Sequence, residues 1–201
     1  MNLTKDIQTL FGTESEITNL RDLFLHGLQD LYFAEKTLHK ALSDMEDAAD
    51  TAGLKRAFKN HREETRHQAG RLEQIFEMIG HKAEGLECKA IEGLIAEGDD
   101  IIEDAEGAAR DAGLIYAGQA VEHYEIARYT SLIRWAEALG FTEAIPLLKQ
   151  SLQEEKAADA LLTRLAEEGI NDAALMGLDA SALRRGAGSG KRAHGAAGSH
   201  H

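Results

Sequence analysis

The sequence predicts an all-α protein: a four-helix bundle whose second and third long helices are joined by a crossover connection containing a short extra helix. Three observations predict this. Ala, Leu, Glu, Lys and Arg dominate the composition, and the chain holds one proline. Apolar residues recur every three or four positions through four long segments, the spacing that gives a helix one apolar face. Glycines stand where three of those segments stop, as expected of helix C-termini.

Taken in order, residues 1–15 read as a lead-in, and Ser15 or Thr18 is placed to cap the first helix. That helix runs from about Ile17 to Asp50, with Leu20, Phe24, Leu28, Leu31, Leu38, Leu42 and Met45 on its apolar face. After Gly53 a second helix covers Leu54 to Ile79 and stops at Gly80. A polar connection, 81–88, leads into a shorter amphipathic helix containing Ile91, Leu94, Ile95, Ile101 and Ile102. The third long helix spans about Glu106 to Leu139 before Gly140, and the fourth about Thr142 to Glu168 before Gly169, with Pro146 in its first turn. Helices of about 26–34 residues span on the order of 40–50 Å. Two helical hairpins joined by a long crossover make the ferritin-like topology, because a simple up-down bundle needs only a short loop there. The domain plan is therefore a bundle over 16–170 and a flexible, Gly/Ala/Ser-rich, locally basic tail over 171–201.

Hydrophobic residues make up 43% and charged residues 28%, ordinary values for a globular chain, and the net charge is −13. So acidic a surface excludes nucleic acid as a general partner, beyond weak contact through Arg184, Arg185, Lys191 and Arg192 in the tail. The one cysteine, Cys88, excludes an internal disulfide and fits a reducing compartment. The opening residues M-N-L-T-K-D-I-Q-T-L-F lack a signal-peptide core, and no segment approaches the roughly 20 apolar residues of a membrane span. A cytoplasmic protein is expected.

The functional signal lies where the apolar stripes carry charge. Glu35 interrupts the first stripe, between Leu31 and Leu38. The second reads Leu54, Ala57, His61, Glu64, Gln68, Leu72, with His67 three residues beyond Glu64. Glu122 and Glu125 lie on the third, between Gly118 and Tyr129; Glu155 and Asp159 lie on the fourth, between Leu152 and Leu162. An isolated buried carboxylate is very costly, so one acid per stripe at a common depth points to a shared counter-charge. Two divalent cations between the helices supply it; the general pattern is a Glu from two helices and an E-x-x-H from the other two. The candidate metal residues are Glu35, Glu64, His67, Glu122, Glu125, Glu155 and Asp159, with His61 at the edge of the site and no separate catalytic residue assigned. Their six carboxylates exceed the four charges of two divalent ions, so one or two, Asp159 and one of Glu122 and Glu125 foremost, are expected to stand outside the ligand shell or to be protonated or paired. A hard, oxygen-rich set with one imidazole suits iron or manganese, and there is no thiolate cluster for zinc. His123 points off its stripe. Tyr32 and Tyr129, one turn from Glu35 and Glu125, read as core aromatics.

The stretches L-Q-D-L-Y-F-A-E-K (28–36), E-E-T-R-H-Q (63–68), K-A-I-E-G-L-I-A-E-G (89–98), Q-A-V-E-H-Y-E-I-A-R-Y (119–129) and Q-E-E-K-A-A-D (153–159) carry a resemblance to the YciE/YciF family of ferritin-like bacterial proteins, over roughly residues 17–170. The resemblance implies a two-metal bundle distantly related to rubrerythrin and manganese catalase, a homodimer, and an association with stress. It implies the same site residues, Glu35, Glu64, His67, Glu122 or Glu125, Glu155 and Asp159. The chain departs from the common ferritin-like pattern in its fourth helix, where E-x-x-x-D puts Ala158 in place of the second histidine. The expected function is a dinuclear iron or manganese centre reacting with peroxide or dioxygen. The alternatives are a non-catalytic metal-binding or iron-storage protein and a structural or regulatory bundle. A zincin is excluded because His61 and His67 are six apart, where H-E-x-x-H requires four.

Overall fold

The computed structural model describes residues 17–176, and the lead-in 1–15 and the tail beyond 176 lie outside the described residues. Helix α1 spans Leu20–Ala48, α2 Ala52–Met78, α3 Lys89–Asp104, α4 Gly107–Leu139 and α5 Ala144–Leu165. A wide π-helical turn, Ala166–Ile170, and a short helix α6, Asn171–Met176, follow. The described residues contain helices and no strand, so the predicted class stands: a helical bundle of two hairpins, with α3 inside the connection between them. No helix among them is long and apolar enough to cross a membrane.

Local chemistry sets the ends. Asn19, rather than Thr18, caps α1: its Oδ1 accepts the backbone N–H groups of Arg21 at 2.9 Å and Asp22 at 3.1 Å. Thr18 instead donates its N–H and hydroxyl to Asp22 Oδ2, at 3.0 and 2.8 Å. Ser15, the other expected cap, lies outside the described residues. The start of α2 has no cap of its own. Asp111 of α4, fully buried, accepts the backbone N–H groups of Asp50 at 2.7 Å and Thr51 at 2.8 Å, tying the α1–α2 turn to the second hairpin. Helix α4 ends at Gly140 in the left-handed conformation (φ +78°), where Phe141 donates its N–H back to the Ala136 carbonyl at 2.9 Å. The fourth helix was expected to reach Glu168; its regular part stops at Leu165, and Gly169 (φ +133°) takes the turn that lets α6 leave.

The core falls into two apolar clusters. One gathers Phe24, Leu28, Leu31, Leu72, Ile75, Phe76, Tyr129, Leu132 and Leu148. The other gathers Leu42, Met45, Leu54, Phe58, Leu114, Ile115 and Leu162. Between them α2 carries His61, Thr65, Gln68 and Arg71, α4 carries Glu122 and Glu125, and α5 carries Ser151 and Glu155, all buried. A polar belt therefore crosses the bundle, with apolar packing above and below to keep water from it. Gly118 of α4 lets the helices close over this belt, because a Cβ there would stand 3.0 Å from Leu162 Cδ1.

Candidate metal centre

The belt gathers four buried acids around one imidazole. His61, Glu122, Glu125 and Glu155 each present a ligand atom, and these atoms all lie within 4.8 Å of one another. His61 Nε2 stands 3.2 Å from Glu122 Oε1 and 3.5 Å from Glu155 Oε2, and neither contact has the alignment of a hydrogen bond. Glu35, 1% exposed, adjoins the group from α1 and accepts the hydroxyl of Tyr129. Gln68 donates its side-chain amide to Glu155. Helix geometry explains the convergence: Glu122 and Glu125 are three residues apart, so both face inward from one side of α4.

Each carboxylate keeps an oxygen with nothing to accept from. Glu35 Oε2, Glu122 Oε2, Glu125 Oε1 and Glu155 Oε2 are buried without a hydrogen-bond partner, as are His61 Nε2 and the carbonyl oxygen of Gln68. Such groups are normally satisfied, so acceptors that converge without a donor mark a place for a cation. The acid strengths agree. Burial first, then repulsion from neighbouring glutamates, pushes Glu35, Glu122 and Glu125 well above the usual carboxylate range. Burial also raises Glu155, against the opposing pull of His61. For His61, burial lowers basicity, but the Glu64 bond and the Glu155 charge outweigh it and the net shift is upward. A divalent ion would offset the mutual repulsion among the glutamates. The donor set therefore fits a metal ion, and the cluster could hold one.

The nearby bases are engaged elsewhere. Arg71, buried, donates Nε to Ser151 Oγ at 2.9 Å and pairs with Glu154, beside the site on the outer side of α5. Arg62 pairs with Glu46 at 3.4 Å and Arg66 with Glu63 at 3.2 Å.

Of the residues expected as ligands, the structure brings Glu35, Glu122, Glu125 and Glu155 together. It does not bring Glu64, His67 or Asp159 into the group. Glu64, its side chain 45% exposed, stands behind His61 and contacts Nδ1 at 3.3 Å. His67 is exposed on the outer face of α2, its Nε2 2.9 Å from the Arg66 guanidinium. Asp159 is half-buried, accepts from Gln119 Nε2 at 3.0 Å, and lies 3.5 Å from His123. The imidazole at the centre is His61, which sequence reasoning had left at the edge. The buried positions of α2 step by alternating threes and fours: Leu54, Phe58, His61, Thr65, Gln68, Leu72, Ile75. His61 belongs to that series, whereas Glu64 and His67 each fall one residue short of it and turn about 100° away. That series was the signal for His61, and the E-x-x-H spacing obscured it. Tyr129, which reads from the sequence as a core aromatic, and Gln68, which carries no sequence assignment, also belong to the belt.

A pocket of about 130 Å³ opens beside the cluster, between α2 and α5, and reaches His61, Glu64 and Glu122.

Comparison with known proteins bears on the family and the fold. The chain is 46% identical to protein YciF of Escherichia coli (strain K12) over 154 residues, covering 76% of this chain and 93% of YciF. The crystal structure of YciF, described as a stress protein, superposes with a TM-score of 0.74 at 44% identity, covering 77% of this chain and 99% of that one. YcfI of Rhodopseudomonas palustris, for which a structural role has been suggested, gives a TM-score of 0.73 at 44% identity, covering 76% of this chain and 98% of that one. The profile of the family described as domain of unknown function DUF892 matches residues 19–175, and with YciF as a near relative the chain belongs to this family of YciF-like helical bundles.

Proposed function

We propose that this chain is a stress-associated, two-metal carboxylate protein, using iron or manganese and reacting with peroxide or dioxygen. The observation that carries the reading is the set of buried, unpartnered acceptors on Glu35, Glu122, Glu125 and Glu155 around His61. Four carboxylates would balance two divalent ions, which removes the charge excess that the longer ligand list had carried. Glu35, Glu122, Glu125, Glu155 and His61 would hold the ions. When bound, two such ions supply redox equivalents to an O–O bond.

The chain's own residues do the remaining work. The two apolar clusters keep bulk water from the belt, so charges inside it act at low dielectric. Tyr129 holds a proton on its hydroxyl against Glu35; burial and then the neighbouring glutamates push its acidity far down, so it stays a donor. Gln68 orients Glu155 through its amide, and Glu64 orients His61 through Nδ1, leaving Nε2 turned to the cluster. The pocket gives a small molecule a path to Glu122 and His61.

The test is peroxide consumption and Fe(II) oxidation by metal-loaded protein, each against the same amount of free ion. Turnover above the free ion at either supports the proposal; neither exceeding it refutes the redox reading. A structural bundle is the second reading, favoured by the role suggested for YcfI.

A further inference from the structure

The pocket beside the cluster is larger and less polar than hydrogen peroxide requires. Its volume is about 130 Å³. A water needs only about 10–15 Å³ of such space, and an apolar cavity of about 150 Å³ takes benzene. Phe58 of α2 and Ala158, Leu161 and Leu162 of α5 give it apolar walls. His61 and Glu122, both buried, mark its inner end, and Glu122 Oε2 is among the unpartnered atoms. The occupant therefore has two parts: a body the size of one ring or one branched alkyl group, and a small polar end that meets His61 and Glu122. It is also not an anion, because Glu64 lines the pocket and the chain's net charge of −13 repels anions.

We infer that this pocket is the binding subsite for the apolar group of a small organic hydroperoxide, bearing a single aryl ring or a branched alkyl group, with its O–OH end toward His61 and Glu122. This substrate class rests on the redox reading above. Reduction of ROOH to ROH and water breaks the O–O bond and takes two electrons and two protons: two divalent ions held there would give one electron each and become trivalent, water would give the protons, and a small external electron donor would return the pair to the divalent state for the next turnover. The apolar walls give the organic substrate a binding advantage that hydrogen peroxide cannot use, since the gain scales with the apolar area removed from water.

Two measurements on the full chain test the inference. In the first, metal-free protein is titrated with cumyl alcohol, the unreactive alcohol counterpart of cumene hydroperoxide, while alanine and leucine methyl resonances are followed. Saturable shifts confined to Ala157, Ala158, Leu161 and Leu162 are expected, and Ala158→Leu, which fills the pocket, abolishes them. Ala157→Leu gives a second filling variant, and unchanged methyl resonances of Leu28, Leu31, Leu72 and Leu132 in the first core cluster confirm that each variant folds. In the second, metal-loaded protein with excess ascorbate as electron donor is compared on cumene hydroperoxide and hydrogen peroxide. Both filling variants lower the ratio of the two kcat/KM values by about tenfold, the scale on which a pocket senses a lost apolar fit. If the protein binds the alcohol but turns over neither peroxide, the subsite stands and the redox reading falls. If it consumes hydrogen peroxide while the alcohol gives no saturable shifts, or the filling variants leave the ratio unchanged, the inference is overturned and the redox reading survives.

Discussion

Replacing Glu125 by glutamine should make the metal-free protein more stable at pH 8 and less able to bind metal. Glu125 is 1% exposed, its Oε1 has no partner, and ligand atoms of Glu122 and Glu155 lie within 4.8 Å of its own. At that separation, with an effective dielectric of about 20, two unit charges repel by roughly 3.5 kcal/mol. Protonation lets the group escape part of this, so the net penalty at neutral pH is smaller, about 1–3 kcal/mol. The sign follows from linkage. Burial and then Glu35, Glu155 and Glu122 raise the folded-state pKa of Glu125 above its unfolded value. The folded state therefore binds more protons between the two values, and stability is full below the ordinary carboxylate range and falls as pH rises. Glutamine keeps the shape and removes the titration. In chelator, the melting temperature of Glu125→Gln should exceed that of the parent by about 2–10 °C at pH 8, and the gain should vanish near pH 4, where both chains are neutral at this position. With iron or manganese added, the order should reverse, because the parent gains binding energy that the variant lacks. Calorimetry at the two pH values, with and without metal, reads all of this. A variant less stable than the parent in chelator at pH 8, or a gain independent of pH, would mean that Glu125 carries no such electrostatic penalty.

The position of the imidazole gives a sharp comparison. His61→Ala should weaken metal binding by at least about tenfold, and His67→Ala should leave it within about twofold, by competition titration against a chelating dye. Tyr129→Phe removes the donor to Glu35 and should lower the melting point of the metal-free protein through a loss of about 1–3 kcal/mol. Asp111→Ala frees the N–H groups of Asp50 and Thr51 and should cost about 1–2 kcal/mol at any metal concentration, a loss read by denaturant titration without a change in metal stoichiometry.

Much of this fold was legible because its signals are local. The stripe Phe24, Leu28, Leu31, Leu38, Leu42 and the stops at Gly80, Gly140 and Gly169 report on helices without knowledge of what the helices touch. The buried acids Glu35, Glu122, Glu125 and Glu155 were legible for a related reason: each interrupts its own apolar series. What was not legible depended on rotation about α2 and on cross-helix partners. His67 fits a three-residue spacing from Glu64, yet neither falls on the buried series through Leu54, His61 and Gln68, and a rotation of about 100° separates a central imidazole from an exposed one. Asp159 sits on the α5 stripe by count, but Gln119 and His123 of α4 meet it there. The cap that Asp111 provides to the α1–α2 turn spans about sixty residues, and no pattern along the chain announces such a bond.

The buried, unpartnered glutamates could hold metal. Elemental analysis of the purified full chain, with anomalous diffraction at the iron and manganese edges on the same preparation, tests it most directly. Two ions per chain are expected, both among Glu35, His61, Glu122, Glu125 and Glu155. Protein that takes up no ion when loaded, or an ion seated instead at His67 or Asp159, contradicts it.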